Sequence, residues 1–220
     1  MADAPPPPLL LFATTVLSQC VTAYIPVIMW RHRWPFEFCV TLFAIVTSVM
    51  YHTCQSFKIK IGLDELQWHR LDNIAAISCF GIWFTYLCCF KDPHVDQLVK
   101  IVTFMLTVIV QEPWPWDVRF TVAPIVAYLV CLPVATGLHR LWRHGRWPPY
   151  DWRNFAIGVS LLLASFYFFY RGLDDDNDQW RLWHGGWHVA SGLASVRLWM
   201  VVKQPINHRV VRHLATIDHE

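Results

Sequence analysis

Apolar residues fall in long runs separated by short polar clusters. The runs occupy 9–30, 36–54, 71–90, 98–110, 118–138, 154–170 and 182–202, and charged, proline-rich or tryptophan-rich turns bound them. About 20 consecutive apolar residues suffice for a helix to cross the hydrocarbon of a bilayer. The pattern therefore predicts an all-α, polytopic membrane protein, a single domain over 1–220 built as a bundle of seven transmembrane helices. The run at 98–110 is the shortest and reaches span length only by extending into its flanks. Pro124 and Pro133 lie inside the fifth run and predict kinks there. The stretch "QSFKIKIGLDELQWHR" reads as a polar, amphipathic connector ahead of the third span.

Composition agrees. Of 220 residues, 55% are hydrophobic and 15% charged, against about a quarter charged in a soluble domain. Seven spans with short loops leave no room for a separate soluble domain. A net charge of +2, with no basic tract apart from the membrane pattern, argues against nucleic acid as a partner. Thirteen tryptophans, many at the span edges, fit interfacial belts. Cys20, Cys39, Cys79, Cys88, Cys89 and Cys131 lie within spans, where a thiol acts as a small apolar group, and no disulfide framework is evident.

Lysine and arginine set the expected orientation. With seven spans, Lys58, Lys60, Arg70, Arg119, Arg171 and Arg181 share one face. The other twelve basic residues, including Arg140, Arg143, Arg146, Arg153, Lys203, Arg209 and Arg212, share the opposite face. The positive-inside rule then puts the C-terminus in the cytosol and the N-terminus in the lumen or outside. "MADAPPPP" lacks the basic start of a signal peptide, so the first run is expected to remain as a span.

Ionisable groups inside a membrane are costly and are by default candidates for function. Three clusters stand out. "SVMYH" places Ser48 and His52 four apart near the end of the second span, "HRLDNIAA" puts Asp72 and Asn73 at the start of the third, and "HGGWH" puts His184 and His188 four apart at the start of the seventh. In a seven-span chain all three lie at one membrane face. Residues four apart share a helical face, so His52, His184 and His188 can offer three imidazoles to one metal ion, a standard zinc set with a fourth position for water. Asp72 and Ser48 would support the ligands or orient that water. Each cluster also has a plainer reading: Asp72 as a helix N-cap, Gly185 and Gly186 as close helix packing, single histidines as interfacial residues. His69, His94, His139, His144, His208, His213 and His219 are read that way.

Taken together, S-x3-H in span two, Asp early in span three and H-x3-H in span seven resemble the signature of the CREST superfamily of membrane hydrolases. That superfamily includes alkaline ceramidases, the adiponectin and progestin receptor family, and the family of myomaker and the post-GPI-attachment phospholipase. "SVMYHTC", "DELQW" and "HGGWHVASG" look most like the last of these, while "RLDNIAAI" is similar to the receptor family's third-span motif. The resemblance implies a zinc cofactor held by His52, His184 and His188, with Ser48 the motif serine and Asp72 the best match to the motif aspartate. Asp64, in a stretch similar to the "LDEL" of ceramidases, competes for that place. Nothing in these residues matches the phospholipase's extracellular domain or myomaker's cysteine-rich tail, so roles resting on those parts are not carried over.

The activity this implies is hydrolysis of a lipid amide or ester. Asp72 would act as general base, and Ser48 would hydrogen-bond the developing oxyanion or the water. Two other readings stand beside it: a myomaker-like membrane-remodelling protein with a structural zinc, and a seven-span lipid receptor. Expected partners are a membrane lipid as substrate and the bilayer itself, with homodimerisation left open.

Overall fold

The computed structural model describes residues 6–174 and 177–202. The basic residues Lys203, Arg209 and Arg212 and the histidines His208, His213 and His219 lie outside the described residues. Within them the fold is all-helical and has no strands.

The first rod is not one continuous helix. Helix α1 (Pro8–Thr15) passes through a 3-10 segment (Leu17–Ala23) into α2 (Tyr24–His32). The hydroxyls of Thr15, Ser18 and Thr22 and the amide of Gln19 each bond a carbonyl three or four residues back. Such side-chain bonds compete with the regular ladder, a local effect that mean hydropathy does not register. Arg33, in the left-handed region, ends α2 and turns the chain into α3 (Pro35–Phe57), which begins with proline at its first position.

Helix α4 (Glu65–Leu87) starts well before the run at 71–90. Asp64 accepts from the Gln67 amide at 2.9 Å, and the Gln67 side chain accepts from the Asp64 amide at 3.0 Å. This reciprocal capping box draws the last six residues of the expected connector into the helix, so Asp72 sits two turns inside it. Next come α5 (Pro93–Gln111) and a long rod of α6 (Val118–Leu129), a π turn (Val130–Val134) and α7 (Ala135–His144). The expected kink at Pro133 takes the form of that π turn, which accommodates the missing N–H. Helices α8 (Trp152–Gly172) and α9 (Leu182–Leu198) complete the fold.

Five rods are long and apolar enough to cross a membrane: Pro8–His32, Pro35–Phe57, Pro93–Gln111, Val118–His144 and Trp152–Gly172. They point to an integral membrane protein. The two remaining rods, α4 and α9, are the ones that carry Asp72 and the paired histidines. They pack at the centre, α4 chiefly on α3 and α9 chiefly on α8 and the first rod. Protein surrounds Ser78 and Thr85 of α4 and His188 of α9, which is the setting that tolerates polar groups at membrane depth.

One end of this centre is closed by aromatic side chains. Trp34, Tyr86 and Trp199 pack together, Trp83 Nε1 donates to the Leu198 carbonyl at 3.2 Å, and Tyr86 Oη donates to the Trp199 carbonyl at 3.0 Å. These bonds satisfy carbonyls that the C-terminus of α9 leaves without helical partners.

Candidate metal centre

At the opposite end, three imidazoles meet. His52 Nε2 lies 3.1 Å from His184 Nε2 and 3.1 Å from His188 Nε2, and one ring nitrogen from each of the three falls within 4.8 Å of the others. His52 and His188 are buried and His184 half-buried. The sequence places His184 and His188 one helical turn apart on α9, and α3 supplies His52 from across the bundle.

The tautomer of His52 follows from its neighbours. Gln55 Nε2 donates to Tyr51 Oη at 3.0 Å, which turns the amide oxygen towards His52 Nδ1 at 3.2 Å. That oxygen can only accept, so Nδ1 carries the proton and Nε2 presents its lone pair to the other two rings. A single lone pair cannot serve two donors at once, whereas a cation at the meeting point is ligated by all three nitrogens. The group can hold a metal ion.

Close packing sets the register of α9. A Cβ on Gly185 would stand 2.4 Å from the Thr14 carbonyl oxygen, so the first rod approaches there as only glycine permits. Gly172 lets α8 come close to the His184 backbone, where an added Cβ would stand 3.0 Å from its amide nitrogen. Trp187, about 100° around the helix from His188, packs on Phe166 and Phe169 of α8. Asp178, buried in the turn before α9, accepts from the amides of Trp183 and His184 at 3.1 and 3.0 Å. It thereby supplies the helix N-terminus with an acceptor and a negative charge.

The centre opens on a cavity of about 280 Å³, lined mostly by apolar and aromatic side chains of α3, α4, α8 and α9. Ser48 and Asp72 line the same cavity. Gln19 Nε2 donates to Ser48 Oγ at 3.1 Å, and the Ser48 side chain lies beside the Asp72 carboxylate. Asp64, by contrast, caps α4 at an exposed position and is absent from the cavity lining.

The structure brings Ser48, His52, Asp72, His184 and His188 to one end of the bundle, with four residues that the sequence reading did not single out. Gln19, Gln55 and Asp178 are described above. The fourth is His69, read as interfacial, which lines the cavity and stacks between Tyr51 (4.3 Å between ring centres) and Trp116 (5.0 Å). The turn "QEPWPWD" is fastened to α4 beside it, with Asn73 Nδ2 donating to the Pro115 carbonyl and Arg70 to the Glu112 carbonyl. His94, His139 and His144 are exposed, as interfacial residues would be.

A family model described as "Protein of unknown function (DUF3522)" matches residues 8–189, a stretch that takes in every residue of this centre from Gln19 to His188, and the chain belongs to that family. No curated protein matches the chain.

Proposed function

For this member of the family we propose a zinc-dependent hydrolase, integral to the membrane, that cleaves an amide or ester bond of a lipid. One observation carries the reading: three imidazole nitrogens converge at the end of an apolar cavity whose same end holds a carboxylate. A tetrahedral zinc with bonds of about 2.0–2.1 Å would separate its ligand nitrogens by about 3.3 Å; His52 Nε2 stands 3.1 Å from each of the other two, and the three ligand atoms fall within 4.8 Å of one another. The donor set therefore suits zinc. The likeness of the serine, aspartate and histidine motifs to CREST hydrolases supports the same choice.

Zinc bound there supplies a polarised carbonyl and a water of lowered pKa. The remaining work falls to the chain. His52, fixed by Gln55, and the paired histidines of α9 hold the ion. Asp72 takes the proton of the attacking water and returns it to the leaving group. Ser48, beside Asp72 in the same cavity, acts as a positioning residue for that carboxylate, and Gln19 holds Ser48. The apolar wall excludes bulk water and admits a hydrocarbon chain alongside the reacting bond.

The reading includes seven crossings, with α4 and α9 as internal spans. It puts the N-terminus in the lumen or outside and the C-terminus in the cytosol, supported by the twelve-to-six distribution of basic residues. Elemental analysis of the purified protein should find about one zinc per chain, the content of a single catalytic site, and His184→Ala should lose it. Ceramides and phospholipids are then screened for released fatty acid. Full zinc occupancy in His184→Ala overturns the metal assignment, while zinc without release from any substrate leaves the structural-zinc reading.

A further inference from the structure

The cavity continues far past the metal centre. One face of α3, through Ser48, Ile45, Thr41 and Glu37, lines it from end to end. Eleven residues of helix separate Ser48 from Glu37, about 16 Å of rise. The same spacing separates Asp72 from Trp83 on α4 and His188 from Trp199 on α9, and both of those far residues line the cavity too. Three helices thus give one length, and the far end abuts the aromatic closure.

Glu37 at that end is a charge in an apolar setting, only 4% exposed. Its Oε1 accepts from Lys100 Nζ at 2.5 Å, and Lys100, itself 2% exposed, also bonds Asp96. Oε2 of Glu37 makes no hydrogen bond among the described residues, and the side chain lines the cavity. A staple between α3 and α5 would account for Lys100 but not for a carboxylate left facing an apolar chamber. That oxygen is not sealed off from the cavity, and a carboxylate oxygen without a protein partner keeps water beside it.

We infer that Glu37, held by Lys100, is the floor of the chain-binding cavity and limits the length of the acyl chain the protein accepts. This rests on the lipid-hydrolase reading above and adds a specificity-determining residue to it. A chain that ends short of Glu37 leaves its carboxylate hydrated. A longer one presses a methyl group against it, expels that water and makes no hydrogen bond in return. About 16 Å accommodates roughly a dozen methylenes, half of the roughly 30 Å hydrocarbon thickness of a bilayer.

The test uses free saturated fatty acids, the common product of amide and ester cleavage, with affinity for the zinc-loaded full-length protein read by displacement of a fluorescent fatty acid. For the wild type, binding should tighten about fourfold per methylene and then stop improving or weaken beyond a chain of roughly a dozen carbons. Glu37→Ala should move that break to longer chains, and Glu37→Gln, equal in size, should leave it in place. If Glu37→Ala fails to fold because Lys100 is left unpaired, the double variant Glu37→Ala/Lys100→Met removes both charges and should move the break likewise. A break that stays put in the folded alanine variants, or a wild type with no break, overturns the floor while leaving the hydrolase reading intact. No fatty-acid binding by zinc-loaded wild type overturns both.

Discussion

Gln55 offers the sharpest test of how the metal centre is held. Gln55→Leu keeps the side chain's approximate volume and deletes the acceptor that faces His52 Nδ1 at 3.2 Å. His52 is 1% exposed, so water does not replace the lost partner. An orphaned N–H at such depth costs about 1–3 kcal/mol. The ring can escape that cost by moving its proton to Nε2, but this removes the lone pair the metal needs. Either route weakens binding, and loss of a partner that orients a metal-ligating histidine typically costs 10–100-fold in affinity, or about 1.4–2.7 kcal/mol. Competition against a chelator of known zinc affinity measures the change directly. Gln55→Glu keeps an acceptor at the same place, adds negative charge behind the ring, and should bind zinc at least as tightly as the wild type. Folded Gln55→Leu protein with zinc affinity within about twofold of wild type, well below the expected loss, would refute the argument that Gln55 sets the tautomer.

Asp72→Asn should retain zinc and lose about 10²–10⁴-fold in hydrolysis, the usual contribution of a general base, whereas Asp64→Ala should cost about 1 kcal/mol of stability through the lost cap and leave hydrolysis intact; the reverse pattern in rate and melting assays would give Asp64 the catalytic part. Gly185→Ala sets a methyl 2.4 Å from the Thr14 carbonyl oxygen and should destabilise by about 1–3 kcal/mol with reduced zinc content. Gly186→Ala meets only the Phe168 ring at 3.3 Å and should be milder, and equal melting temperatures for the two would contradict the close approach of the first rod. A tag at the N-terminus should be reached by impermeant reagents from outside or from the lumen, and one after His219 only from the cytosol; both ends on one side would mean an even number of crossings.

Hydropathy is a sum over neighbours in the chain, so the rods could be read from residue order, with bounds off by a few positions. Their all-helical character was legible for the same reason. The largest difference, the start of α4, also had a local signal: Asp64 and Gln67 form the D-x-x-Q of a capping box, read instead as part of a connector. The spacing of His184 and His188, and of Ser48 and His52, was likewise a property of one helix, because the 3.6-residue repeat alone puts residues four apart on one face. Parity of the spans went one step further and brought these pairs to a common end of the bundle, but not to a common point.

That point is a matter of packing. His52 of α3 meets the α9 pair only in the packed bundle, where the first rod packs on both helices and Gly185 lets it close on α9, a contact between residues far apart in the chain. Gln19 is a single amide in an apolar run and Gln55 opens a polar connector, and their importance comes from which side chain each faces, Ser48 in one case and His52 in the other. Asp178 looked like one acid among several in a polar loop until its carboxylate met two amides of α9. Glu37 and Lys100, 63 residues apart, give no sign of each other in the sequence. Sequence order dictates which residues are helical and which share a face, because those depend on near neighbours. Partners for a buried polar group are chosen among whole helices, and only the packed bundle decides them.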